Sequence, residues 1–66
     1  MKFELFFGCD NAAFDSENGG SLEEESARIL EKLASEIRDG AIGQSNNKFK
    51  DLRDVNGNIV GQWRCA

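Results

Sequence analysis

Twelve carboxylates and two cysteines are the side chains of this 66-residue sequence whose chemistry is worth weighing first, because it contains no histidine. The missing imidazole removes the commonest general base near neutral pH and the commonest metal ligand. A nucleophilic cysteine needs a neighbouring base or a positive field, yet Cys9 is followed by Asp10 and Cys65 stands one residue from the end of the sequence. Two cysteines without histidine also make a poor zinc site. Carboxylates that hydrolyse glycosides must face each other across a cleft, whereas most acids here crowd into one loop and one helix. A calcium loop begun at Asp15 would put Gly19 at the fifth ligand position and Ser26 at the twelfth, so the ligand pattern fails. No glycine-rich phosphate loop with a lysine is present, and three glutamates directly after Gly19-Gly20-Ser21 oppose phosphate at that helix start. The residue types therefore lead us to expect no catalysis, no cofactor and no metal. They leave the acids as a binding surface.

The net charge is −4, unevenly spread. Residues 1–31 hold eight acids against Lys2 and Arg28, while residues 32–66 hold six bases against four acids. Direct binding to nucleic acid calls for a basic stripe, and the strongest field here has the opposite sign. A basic partner surface fits better. No apolar run approaches the roughly 20 residues of a membrane span. The opening Met1-Lys2-Phe3-Glu4 lacks the basic-then-apolar design of a signal peptide, so a cytoplasmic location is expected.

The element that positions the acids is residues 21–40, S-L-E-E-E-S-A-R-I-L-E-K-L-A-S-E-I-R-D-G. Ser21 and Glu24 have capping-box spacing, Glu23, Glu24 and Glu25 favour the positive end of the helix dipole, and Arg38 and Gly40 suit its end. Ile29, Leu30, Leu33, Ala34 and Ile37 recur at the spacing of one apolar stripe, with Leu22 and Ala27 as weaker members. Before this helix, residues 2–7 (K-F-E-L-F-F) read as a strand with Phe3, Leu5 and Phe7 on the core face and Phe6 on the other. Asp10-Asn11 can start a turn and Ala12-Ala13-Phe14 can make one short helical turn that pins Phe14 onto the core, and residues 15–20 form a polar surface loop. After the helix, residues 41–47 read as a polar loop in which Ile42 alone is buried. Asn56-Gly57 then marks a hairpin between residues 49–55 and 58–64. A two-residue turn would align Leu52, Ile59, Gly61 and Trp63 on one face; a three-residue turn with a glycine bulge would pair Leu52 with Val60 and Phe49 with Trp63. We favour the first for the core, since it gathers more apolar groups.

The fold expected is one α+β domain over residues 1–66, β-α-β-β, with one amphipathic helix on a three-stranded sheet. An antiparallel sheet of order 1-3-2 is preferred to one in which the first two strands lie parallel through a right-handed crossover, because the lone Trp63 and the Ile59-Val60 pair suit a central strand. Either way Cys9 and Cys65 fall at opposite ends of the sheet, separated by roughly 20 Å for a six-residue strand. Two free thiols are expected.

The opening K-F-E-L-F-F-G-C-D-N-A-A-F, the acid-rich helix ending in R-D-G and the closing L-R-D-V-N-G-N-I-V-G-Q-W together resemble a group of small proteins borne by phages and other mobile elements, some of which are anti-CRISPR proteins. The chain is similar to inhibitors of type I-C systems. That resemblance implies a cytoplasmic inhibitor in the host bacterial cell, acting as a monomer on the basic DNA-binding surface of a type I CRISPR effector (Cascade) subunit. It implies DNA mimicry by Asp10, Asp15, Glu17, Glu23, Glu24, Glu25, Glu31, Glu36 and Asp39. The physical counterpart is that helix side chains three and four apart lie about 5–6 Å from each other, so rows of carboxylates can imitate the phosphates of one strand. Glu24 is ambiguous, because a capping box would draw its carboxylate back to the backbone. A competing reading is a protein-binding module that uses the open sheet face, with Phe6, Val55 and Val60 as an apolar patch.

Overall fold

The computed structural model describes residues 1–66. The aromatic opening forms β1 (Phe3–Phe7), and the chain then makes two single 3-10 turns, Ala12–Phe14 and Ser16–Asn18. The Asn11 carboxamide oxygen accepts from the Ala13 N–H at 3.2 Å and starts the first turn. This drives Phe14 into the core, 6.2 Å from the Phe7 ring. The long helix α1 (Leu22–Arg38) follows, capped by Ser21, whose hydroxyl accepts from the Glu24 N–H at 3.2 Å. The reciprocal half of the capping box does not form, since the Ser21 N–H is already bonded to the Ala13 carbonyl at 3.2 Å. The Glu24 carboxylate is therefore not drawn back. At the other end Gly40 adopts φ 100°, the left-handed conformation that glycine tolerates best.

Residues 41–47 correct the expectation of a loop. Ala41–Ser45 is a short second helix, α2, with Ala41 and Ser45 buried and Ile42 half-buried. Its serine hydroxyl donates back to the Ile42 carbonyl at 2.9 Å, which lets a polar side chain sit inside. Asn46 and Asn47 then take left-handed conformations, which asparagine accepts more readily than most residues.

The strands β2 (Lys50–Arg53) and β3 (Ile59–Cys65) complete an antiparallel sheet of order β1-β3-β2, as expected. Leu52 pairs with Gly61 and Lys50 with Trp63, so the favoured core register holds in the body of the hairpin. The turn itself follows the other alternative. The Asp54 N–H bonds to the Asn58 carbonyl at 2.9 Å and the Gly57 N–H to the Asp54 carbonyl at 3.0 Å, enclosing Val55, Asn56 and a left-handed Gly57. An irregularity between Leu52 and Arg53 takes up the extra residue. Beyond that bulge Ile59 is 54% exposed rather than part of the core.

The core gathers Ala13, Phe14, Ile29, Leu33, Ala41, Leu52 and Trp63, with Trp63 only 1% exposed. The expected helix stripe is narrower than its spacing suggests: Ile29 and Leu33 are buried and Ile37 half-buried, while Leu22, Leu30, Ala27 and Ala34 are exposed. Cys9 and Cys65 are both free thiols. No helix is long and apolar enough to cross a membrane.

Candidate partner-binding surface

The structure divides the nine acids of the sequence into three groups. Asp10, Glu17, Glu23, Glu24, Glu31, Glu36 and Asp39 are exposed, and none of them pairs with a basic side chain. Asp15 is half-buried and serves its own loop, its carboxylate accepting from the Glu17 N–H and the Asn18 amide, each at 2.9 Å. Glu25 is the correction. Only 5% exposed, it faces inward and is not available to a partner.

Glu25 sits one helical turn before Ile29, on the line that continues through Leu33 and Ile37. Burial of a carboxylate is tolerated only when its oxygens are satisfied, and here they are. Arg28 donates through Nε at 2.6 Å and Nη2 at 3.2 Å, and the Val55 N–H of the hairpin turn donates at 2.7 Å. The Arg28 hydrogen bond holds the Glu25 pKa below its ordinary value against the opposing effect of burial, with the Val55 N–H adding to it. The same bond raises the Arg28 pKa. Arg28 also reaches the Arg53 carbonyl at 3.1 Å, so the start of α1 is clasped to the hairpin.

Asp54 is the second buried acid, 4% exposed, and lies within this clasp. Its carboxylate accepts from the Asn11 amide at 2.7 Å, the Asn56 and Asn58 N–H groups at 2.9 Å each, and the Asn58 amide at 3.1 Å. Burial works to raise its pKa, but the Asn58, Asn56 and Asn11 donors together outweigh it and the net shift is downward. Sequence reasoning missed this residue. The available signal was the D-x-N-x-N spacing of Asp54, Asn56 and Asn58, in which a short carboxylate can collect the amides of its own turn.

The clasp has an electrostatic consequence on the outer side of α1. Arg28 is engaged by Glu25, and neither Glu24 nor Glu31 forms an ion pair. These two lie seven residues apart, about 10.5 Å along the helix axis. They border an open cleft of about 670 Å³ that also takes in Gly19, Gly20, Val55 and Asn56. Glu36 and Asp39 lie at the opposite end of the helix, beside Lys50 and Asp51. The exposed acids thus run from the loop and first turn along the outside of α1 to its end; they do not form one compact patch. No group of three or more acids and cysteines is arranged to hold a metal ion.

The open sheet face carries a separate cluster. Phe6, 55% exposed, meets Phe49 edge to face at 6.1 Å, and the Arg64 guanidinium lies 4.4 Å from the Phe49 ring centre. Arg64 also pairs with Glu4, whose pKa that hydrogen bond lowers. Phe49 replaces Val55 in the patch expected from sequence, because Val55 belongs to the turn beside α1 and Val60 is half-buried. No protein-family model matches the chain, and no curated protein or solved structure matches it.

Proposed function

We propose that this chain is a non-catalytic inhibitor that docks its acidic outer surface on a basic surface built to hold DNA. The observation that carries this reading is that Glu23, Glu24 and Glu31 are exposed and form no ion pair, while Arg28, the base nearest them on the helix, is engaged by the buried Glu25. An acidic surface held on a rigid helix keeps its charges at fixed spacing, as a nucleic-acid strand does. The resemblance of the sequence to type I-C anti-CRISPR proteins supplies the partner, a DNA-binding subunit of a type I CRISPR effector. Glu23, Glu24 and Glu31 are the contact residues we favour, with Glu17, Glu36, Asp10 and Asp39 extending the surface. Glu25 and Asp15 act inside the fold.

The test is a pull-down on purified type I effector complexes with target DNA as competitor. Binding should be displaced by DNA and weaken as salt rises. The combined reversal Glu23→Lys, Glu24→Lys and Glu31→Lys should abolish it while the helical circular dichroism stays. Folded triple variants that bind and inhibit normally would sink the acidic-surface reading. If binding instead survives high salt and is lost in Phe6→Ser with Phe49→Ser, the partner sits on the aromatic sheet face, where apolar burial is not weakened by salt.

A further inference from the structure

The two edges of the sheet are built differently. On β2, Lys50, Asp51 and Arg53 are exposed, and the strand is only four residues long; charges and short edge strands are usual means of preventing edge-to-edge pairing. On β1, the sequence F-E-L-F-F carries one charge, and Arg64 neutralises it. Lys2 and Ala66 exchange both backbone bonds, and the Gly8 N–H bonds to the Val60 carbonyl at 2.9 Å. Antiparallel pairing alternates, so Lys2, Glu4, Phe6 and Gly8 direct their backbone groups at β3. The N–H and C=O groups of Phe3, Leu5 and Phe7 point outward from an edge with no neighbour.

The helix sits towards the other edge. Ile29, Leu33, Lys32 and Glu36 border β2, where Leu52 is buried although its strand is an edge. The opposite flank of α1, with Leu30 and Ala34, overlooks β1. There the cover is thin: Phe3 and Leu30 are each 45% exposed, and Leu5 and Phe7 are only half-buried. An unpaired backbone edge therefore runs beside an apolar seam.

We propose that two copies of this chain pair through β1 about a two-fold axis at Leu5, joining their sheets into one of six strands with both helices on the same face. The edge is complementary to itself. With Leu5 opposite Leu5 and Phe3 opposite Phe7 of the second copy, every outward backbone group of the three residues finds a partner, up to about six new bonds. The side chains of Phe3, Leu5 and Phe7 from both copies fill the seam below Leu30. Glu4 falls opposite Phe6 of the second copy, whereas a register centred one residue earlier would set two Glu4 side chains face to face. The axis sets the two α1 helices antiparallel, which is favourable for their dipoles; the end that carries Arg38 also carries Glu36 and Asp39, so the pairing rests on the backbone edge and the apolar seam and not on charge. Two chains of charge −4 repel, but this repulsion is screened over about 8 Å at physiological salt. Self-association therefore strengthens with salt, opposite to the partner binding proposed above, and the two readings can fail separately.

The test is sedimentation equilibrium of the full chain up to about 1 mM, together with amide exchange. The mass should rise from 7.3 kDa towards twice that value, and the Phe3, Leu5 and Phe7 amides should slow in exchange as concentration increases. Phe3→Pro removes one outward N–H without touching a β1–β3 bond, and Leu30→Glu places a charge on the seam. Each should weaken the dimer at least about tenfold. If Phe3→Pro does not fold, the exposed Leu30→Glu position decides alone. A monomer at the highest concentration overturns the proposal, as does a dimer in which those three amides still exchange freely, or one that persists in Leu30→Glu.

Discussion

Replacing Gly61 by alanine and Gly43 by alanine is the same chemical change, yet the structure assigns the two opposite signs. Gly61 lies in the central strand with neighbours on both sides, Phe7 of β1 and Leu52 of β2. A Cβ built there would stand 2.5 Å from both Cα and Cβ of Phe7, and closer still to the Phe6 carbonyl oxygen. All three atoms belong to a paired strand that no side-chain rotation can clear. To restore an ordinary contact β1 must retreat by about 1 Å, which would break the 2.9 Å bond from the Gly8 N–H to the Val60 carbonyl. Overpacking of this kind costs about 1–3 kcal/mol and a lost backbone bond about 1 kcal/mol. The smaller entropy loss of alanine returns about 0.5–1 kcal/mol. The net is a destabilisation of about 1–3.5 kcal/mol, centred near about 2 kcal/mol, a large share of the roughly 3–10 kcal/mol expected for a chain of this size. Gly43 is exposed within α2, and a Cβ there meets nothing within 4 Å. Alanine gains about 1 kcal/mol over glycine in a helix. Urea unfolding reads both, with the fluorescence of the single buried Trp63 as probe. For a urea slope of about 1 kcal/mol/M the midpoint should fall by about 2 M in Gly61→Ala and rise by up to about 1 M in Gly43→Ala. A Gly61→Ala midpoint within about 0.5 M of wild type would refute the close approach of β1 to β3.

Acid should unfold the protein through Glu4, Glu25 and Asp54, whose pKa values lie below their ordinary values of 4.5, 4.5 and 3.8. A depressed folded-state pKa gives stability that is complete above the unfolded value and lost as pH falls through the folded one. Urea midpoints should therefore be level through the neutral range and decline below about pH 4; Glu25→Gln should lower the neutral midpoint and flatten that decline, and a midpoint unchanged at pH 3 would contradict the clasp. Ser21→Ala should cost about 1 kcal/mol by uncapping α1, whereas Glu24→Gln should cost only the few tenths of a kcal/mol, about 0.3–0.5, of an exposed charge at the helix dipole, since its carboxylate caps nothing; a loss of about 1 kcal/mol or more in Glu24→Gln would show that the box closes after all. A thiol reagent should modify exposed Cys9 promptly in the native protein and Cys65 only after unfolding. Simultaneous modification of both would place Cys65 outside the core.

Most of the architecture was legible because its signals are local. The apolar spacing of Ile29, Leu33 and Ile37, the Ser21 cap, the Asn56-Gly57 turn and the aromatic opening strand each act over a few residues, and together they leave few ways to build a three-stranded sheet. What escaped depends on distant partners. Glu25 looked like one of three equivalent first-turn glutamates, but its neighbour in the fold is the Val55 N–H, 30 positions away. Its place on the line of Ile29 and Leu33 was the clue, an acid where the stripe calls for an apolar residue. Leu30 and Ala34 failed in the opposite direction, since periodicity counts apolar residues without knowing how far a single helix can cover a sheet. The hairpin met both alternatives at once, because a bulge lets the turn and the strands keep different registers. For the surface, exposure sorted the acids, setting Glu25 and Asp15 apart, where the sequence had set apart only Glu24.

The position of β3 bears on how the chain is made. Its residues, Ile59–Cys65, form the middle of the sheet, yet they come after every other element in the sequence. During synthesis β1 emerges first and waits without a partner, an aromatic edge free on both sides, until nearly the whole chain has followed. The helix can form early against Ala13 and Phe14, but the sheet side of its apolar face is incomplete until Leu52 and Trp63 arrive. Pairing β1 with β3 thus closes a loop spanning almost the full length, from the Phe3 and Cys65 pair inward. Such non-local closure is the slow step in small proteins. The waiting strand is also the stretch most in need of shelter while it waits.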